Sequence, residues 1–159
     1  MSVRTDADAA RARSGDAAAR LVVVDPRLRA LVAFAIDLIA VAVFVVIGRA
    51  SHREDQSAFL VTFWPFATGL VIGWVGARGW RRPFSISRTG LLAWVGTVLF
   101  GMLLRALSGQ GVQVAFVIVA AIVVGALLLG WRFLLAALDR SASRGENTPG
   151  PVGFFLRRR

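Results

Sequence analysis

The stretch LRALVAFAIDLIAVAVFVVIG, residues 28–48, decides the fold: it sets one acid, Asp37, in an otherwise apolar run that only Arg29 opens with charge. A helix crosses a hydrocarbon core of roughly 30 Å with about 20 mainly apolar residues, because lipid offers no partner to backbone N–H and C=O groups. Residues 28–48 meet that length, and so do residues 59–80, 89–107 and 112–138. A soluble bundle would show polar stripes at the helical period, which these spans almost lack. The expected fold class is therefore all-α, an integral membrane four-helix bundle. Short connections make sequential helices antiparallel and pack them as two hairpins. Residues 1–27 then form a cytoplasmic N-terminal tail, residues 28–138 the four-helix domain, and residues 139–159 a disordered basic tail.

Composition agrees. Hydrophobic residues make up 57% of the 159 and charged residues 18%, against roughly 45–50% and 25% in a soluble domain, and the mean hydropathy is +0.67. The net charge of +10 comes from 19 basic residues, every one of them Arg, against 9 acids. All-Arg, Ala-rich usage points to a GC-rich bacterial genome. The absence of Cys excludes disulfides, thiolate metal sites and thiol catalysis. With His52 as the single histidine, neither a multi-histidine zinc site nor a bis-histidine haem is available within one chain. We expect no metal and no cofactor. The arginines flank membrane spans and build no basic groove, so nucleic acid is not an expected partner.

Arginine placement predicts orientation, since short positive segments stay on the cytoplasmic side. Six lie before or at the start of the first span, four in the connection between spans two and three, and six from Arg132 to the end, against Arg49, Arg53 and Arg105 on the other side. Both termini are expected in the cytoplasm of a bacterium, with the chain multi-pass in its plasma membrane. Residues 1–27 do not read as a cleavable signal, because Asp6, Asp8 and Asp16 precede the first apolar run. The closing Gly-Phe-Phe-Leu-Arg-Arg-Arg can touch an anionic leaflet or serve only as a positive-inside tail.

Small residues four apart mark helix contacts in lipid, where close backbone approach replaces the hydrophobic effect. Gly69, Gly73 and Ala77 form such a row in span two; Ala93, Thr97, Gly101 and Arg105 form one in span three; Ala121 and Gly125 form one in span four. Pro65 removes a helix donor and tends to kink span two. Trp80, Trp131 and Trp64 fit interfacial belts.

Two groups of polar residues need a reason. Asp37 lies eight residues after Arg29, about 12 Å along a helix, where insertion of a charged acid costs about 2.5–3.5 kcal/mol. It must face protein or water, and Ala30, Ala33 and Ala40 give it a small-residue contact face. Two readings stay open: proton or cation handling, or a structural acid that bonds another helix or reaches Arg132 or Arg78. On the opposite side, Arg49 and His52 of the first connection and Arg105 and Gln110 of the third are ligand-binding candidates. Arg forks with Gly-freed N–H groups at Gly109 and Gly111 suit phosphate or carboxylate. The alternative is that the arginines snorkel and the glycines only turn the chain. No paired carboxylates, hydrolytic triad or Gly-Lys phosphate loop occurs, so no catalytic constellation is found.

At these residues the chain resembles the small four-span actinobacterial membrane family known as domain of unknown function 3054. The resemblance rests on Asp37, Gly48-Arg49-x-Ser51-His52, Trp64-Pro65-Phe66 with Gly69, and Trp80-Arg81-x-Pro83. It extends through Gly90 with Trp94 and Thr97, Gly101-Met102-Leu103-Leu104-Arg105, Ser108-Gly109-Gln110-Gly111, and Gly130-Trp131-Arg132. It covers roughly residues 31–135 and implies a four-helix integral membrane protein without an established activity. The sequence thus leads to a polytopic protein in a lipid bilayer that binds or helps transport a small polar or anionic ligand or ion. The alternative is an accessory or assembly subunit meeting another membrane protein, or a second copy, through its glycine-rich faces.

Overall fold

A computed structural model describes residues 25–51 and 59–145. Those residues are helical with no strand: α1 (Pro26–Ser51), α2 (Phe59–Ala77), α3 (Leu91–Leu107) and α4 (Val114–Gly145). A 3-10 turn (Gly79–Arg81) and a single π turn (Ile86–Gly90) fill the connection between α2 and α3. The π turn leads directly into α3, and the four resulting helices are each long and apolar enough to cross a membrane. His52, Arg53 and both chain ends lie outside the described residues.

Local chemistry sets the helix ends. Asp25 caps α1 by accepting the Arg27 N–H on Oδ1 at 2.8 Å, and Pro26 occupies the first helical position, where its missing N–H costs nothing. At the end of α3, Gly109 adopts φ 72°; its N–H donates to the Ala106 carbonyl at 3.2 Å while the Gln110 N–H donates to Arg105 at 3.1 Å. That pair of bonds is a Schellman cap and requires the left-handed residue. After α2 it is Arg78 that turns left-handed, at φ 51°, an unfavourable conformation for a side chain with a Cβ; its N–H donates to the Val75 carbonyl at 3.0 Å. Consequently α2 stops at Ala77, short of Trp80. In the other direction α4 continues past Leu138 to Gly145, and its 32 residues span about 48 Å. Helix α2 runs unbroken through Pro65, which is buried.

The helices touch in chain order, and α4 returns to α1, closing a ring. Packing is tightest between α2 and α3, the inner members of the two expected hairpins. Glycine is the cause. A Cβ on Gly69 would stand 2.7 Å from the Gly96 carbonyl oxygen, one on Gly73 would strike the Leu92 carbonyl, and one on Gly96 would stand 2.7 Å from Gly73 Cα. Backbone therefore meets backbone, with Ala93 and Thr97 fully buried in the seam. Gly101 admits the Phe66 ring, and Gly125 of α4 admits the Trp94 indole, which donates to the Ala121 carbonyl at 2.8 Å. The rows containing Gly69, Gly73 and Gly101 thus pack inside the chain. A Cβ on Gly76 or Gly130 would meet nothing within 4 Å, and both positions stand open.

Around this core, Phe44, Phe66 and Phe116 pack ring on ring, while large apolar side chains such as Ile39, Leu60, Leu99 and Ile122 remain exposed on the outer faces. Water would not tolerate so much uncovered hydrocarbon on so small a chain.

Candidate functional site

Asp37 is completely buried, and its carboxylate accepts four hydrogen bonds. Arg132 of α4 forms a two-pronged pair, Nη1 to Oδ1 at 2.6 Å and Nη2 to Oδ2 at 2.7 Å. Two indoles complete the set: Trp74 Nε1 donates to Oδ2 at 2.8 Å and Trp131 Nε1 to Oδ1 at 2.9 Å. Each oxygen takes two donors, which fills the four lone-pair positions of a carboxylate.

The guanidinium is equally occupied. Beyond Asp37, Arg132 Nη1 donates to the Leu128 carbonyl at 2.8 Å, and Nη2 and Nε donate to the Pro83 carbonyl at 3.1 and 3.3 Å. All five N–H groups of the fork therefore have acceptors. The side chain also lies 4.3 Å from the Trp131 ring centre.

Each partner is placed by local sequence. Asp37 sits on the alanine face of α1, with Ala33 fully buried beside it. Trp74 is pressed against Gly79, where a Cβ would collide with the indole, and Phe34 meets its ring edge-on at 5.2 Å. Gly90 clears a path for the Arg132 stem, since a Cβ there would stand 3.1 Å from Arg132 Cδ. The Pro83 carbonyl is presented by a braced connection: Thr89 Oγ1 donates to the Arg82 carbonyl at 2.7 Å, and the Gly90 N–H reaches back to Ser85 at 2.9 Å. One ion pair thus ties α1, α2, α4 and the α2–α3 connection together.

Chemically, this arrangement neutralises two charges that neither hydrocarbon nor a protein core tolerates singly. With every lone pair and every N–H engaged, the pair presents no vacant position to a substrate proton or a cation. Of the partners weighed for Asp37, Arg132 is the one it meets, and Arg78 is exposed. Trp131 faces inward to the carboxylate, which its reading as a belt residue did not anticipate. Trp80 and Trp64 are exposed. Trp74 carries no mark in the sequence as a partner of Asp37, and neither Pro83 nor Gly90 carries one as a neighbour of Arg132.

At the other end, Arg49 is 7% exposed and donates through Nη1 to Thr62 Oγ1 at 2.8 Å. Arg105 lies 4.8 Å over the Phe116 ring and donates to Gln110 Oε1 at 3.0 Å and to its carbonyl at 3.4 Å. Gln110 Nε2 turns to Ser108 Oγ at 2.9 Å. Both arginines occupy last turns of helices, where a cation offsets the negative end of the helix dipole. The Gly109 and Gln110 N–H groups point back into the α3 cap. An anion there would have to exchange these bonds, and His52 lies outside the described residues.

An apolar recess of about 290 Å³ opens between α3 and α4, lined by Trp94, Val98, Met102 and Val117 among others.

In comparison with known proteins, the family model described as Protein of unknown function (DUF3054) matches residues 34–135. That interval holds Asp37, Trp74, Pro83, Gly90, Trp131 and Arg132. No curated protein and no solved structure matches the chain.

Proposed function

We propose, for a chain that belongs to the family described as Protein of unknown function (DUF3054), a non-catalytic role as an accessory subunit of a larger membrane complex. It spans the bacterial plasma membrane four times as two antiparallel hairpins, with both termini in the cytoplasm. The observation that carries this reading is the saturation of the Asp37–Arg132 cluster: its polar groups serve one another, so the cluster acts as a brace. What remains for interaction is the outer surface, where large apolar side chains of all four helices lie exposed. The family match and the four helices of spanning length support the membrane setting.

Partner contact falls to faces other than the glycine rows inside the bundle. Gly76 and Gly130 are open, and Ile72 and Val75 beside Gly76 are exposed. They supply the small and branched surface that helices in lipid use for close approach.

Native mass spectrometry of the chain, released gently from its own membranes, tests the proposal. A stoichiometric second polypeptide, lost from Gly76→Leu or Gly130→Leu variants that keep their helical content, is the expected result. A bare chain or homo-oligomer carrying a small polar adduct would refute it and return ligand binding at Arg49, Arg105 and Gln110.

A further inference from the structure

We propose that the arginine-rich end of the bundle binds the phosphate of an anionic phospholipid, through Arg29 of α1 together with Arg81 and Arg82 of the α2–α3 connection. The proposal rests on the membrane reading above.

Arg29 is the starting observation. Its guanidinium carbon lies 5.6 Å from the centre of the Phe84 ring, and its Nε is buried with no hydrogen-bond partner. A buried donor without an acceptor is costly, and a charged one more so. Among the described residues no carboxylate pairs with Arg29: Asp25 caps α1 through Oδ1, and Asp37 is filled by Arg132 and the two indoles. Nε itself is shut off from the surface, but the residue is only half-buried, so its outer Nη groups are left to meet an external acceptor bearing negative charge.

The connection brings further charge to the same place. Its 3-10 turn, Gly79–Arg81, packs on α1, and three residues later Phe84 lies under Arg29. Arg81 closes that turn and Arg82 follows it, and both are exposed. They do not hang on a loose loop. Arg132 grips the Pro83 carbonyl, and Thr89 grips the carbonyl of Arg82 itself. The backbone that carries the two side chains is therefore braced, which lowers part of the ordering cost of binding. Guanidinium matches phosphate oxygens in pairs and stacks on an aromatic face at the same time, as Arg29 does on Phe84.

The surroundings favour a lipid over a free phosphate ion. Leu28, Leu31 and Val32 flank Arg29 on α1 with 52%, 65% and 42% of their surface exposed, and Trp80, beside Arg81, is 53% exposed. An inorganic ion would leave this hydrocarbon unused. A phospholipid places its phosphate on the arginines and its acyl chains along the leucines, with the Trp80 indole at headgroup level.

The test uses the full chain in detergent, stripped of lipid and offered an equimolar mixture of phosphatidylglycerol and phosphatidylcholine, with retained lipid read by native mass spectrometry. We expect phosphatidylglycerol to be retained about tenfold over phosphatidylcholine, and Arg29→Gln to lower that retention about fivefold. Arg27→Gln makes the same charge change two residues away and should lower it less than about twofold. Because Arg29 packs on Phe84, the exposed pair Arg81→Gln with Arg82→Gln supplies a variant that leaves the fold intact, expected to lose at least as much. Equal retention of the two lipids, or equal losses from Arg27→Gln and Arg29→Gln, would overturn the proposal in favour of diffuse positive charge. Displacement of the lipid by millimolar inorganic phosphate would overturn the commitment to a lipid. Release of the chain from membranes by alkaline carbonate is a separate result that would sink the membrane reading itself.

Discussion

Replacing Asp37 by Leu puts a larger, apolar side chain at the site and removes the acceptor of four hydrogen bonds. Arg132 then stays buried with its Leu128 and Pro83 bonds but without a counter-charge, and breaking a buried ion pair from one side costs about 3–5 kcal/mol. Arg132→Met leaves the carboxylate to two indoles, a loss at the lower end of that range, about 3 kcal/mol. In the double variant no charge is left. What remains unpaired is two indole N–H groups and the Pro83 carbonyl, each an orphan worth about 1–3 kcal/mol in a dry site, and less where the membrane-unfolded chain finds other partners. The double variant should therefore lose about 2–4 kcal/mol, well below the roughly 6–8 kcal/mol sum of the singles, a coupling of at least about 2 kcal/mol. Reversible unfolding in mixed dodecylsulfate micelles, followed by circular dichroism, measures all four corners of the cycle. Additivity within about 0.5 kcal/mol would show that the two residues do not act as a pair and would refute the brace.

Three further outcomes follow from the same packing. Gly73→Ala drives a Cβ into the Leu92 carbonyl and should cost about 1–3 kcal/mol in that unfolding assay, whereas Gly76→Ala meets open space and should be neutral or gain up to about 1 kcal/mol. Arg78→Gly should stabilise by roughly 0.5–1 kcal/mol, because glycine removes the left-handed penalty of φ 51° at a smaller entropic loss; Gly109→Ala, at φ 72°, should destabilise by about 1 kcal/mol. Trp94→Phe removes the bond to the Ala121 carbonyl and should cost about 0.5–1.5 kcal/mol, with altered near-ultraviolet dichroism as a second readout.

The sequence reading reached some features and missed others for physical reasons. Spans were visible because hydrocarbon demands unbroken apolar runs, and Asp37 stood out because a lone acid in such a run is expensive. Which face of each span turns inward was not visible. In a soluble helix the polar stripe reveals the outside, but here lipid and core are both apolar, so Gly96, inside the α2–α3 seam, and Gly76, outside it, look alike in the chain. Helix ends set by backbone conformation were equally hidden: nothing in the letters Ala-Arg-Gly announces that Arg78 turns left-handed and ends α2 before Trp80. The cluster around Asp37 was half legible. Arg132 was named with Arg78 as an electrostatic partner. Trp131 donates through an indole N–H that an interfacial reading leaves in water, Trp74 is one more apolar residue of its span until its N–H is placed, and Pro83 contributes a backbone carbonyl that no side-chain pattern records.

The absence of cysteine makes the membrane claim directly measurable, since single cysteines can be introduced without background. Ser108→Cys in the turn after α3 should react with a membrane-impermeant maleimide in intact cells, while Ser85→Cys in the arginine-rich connection and Ser141→Cys on α4 should react only after permeabilisation. Labelling of Ser85→Cys and Ser108→Cys from the same side of an intact membrane would contradict the four-span account.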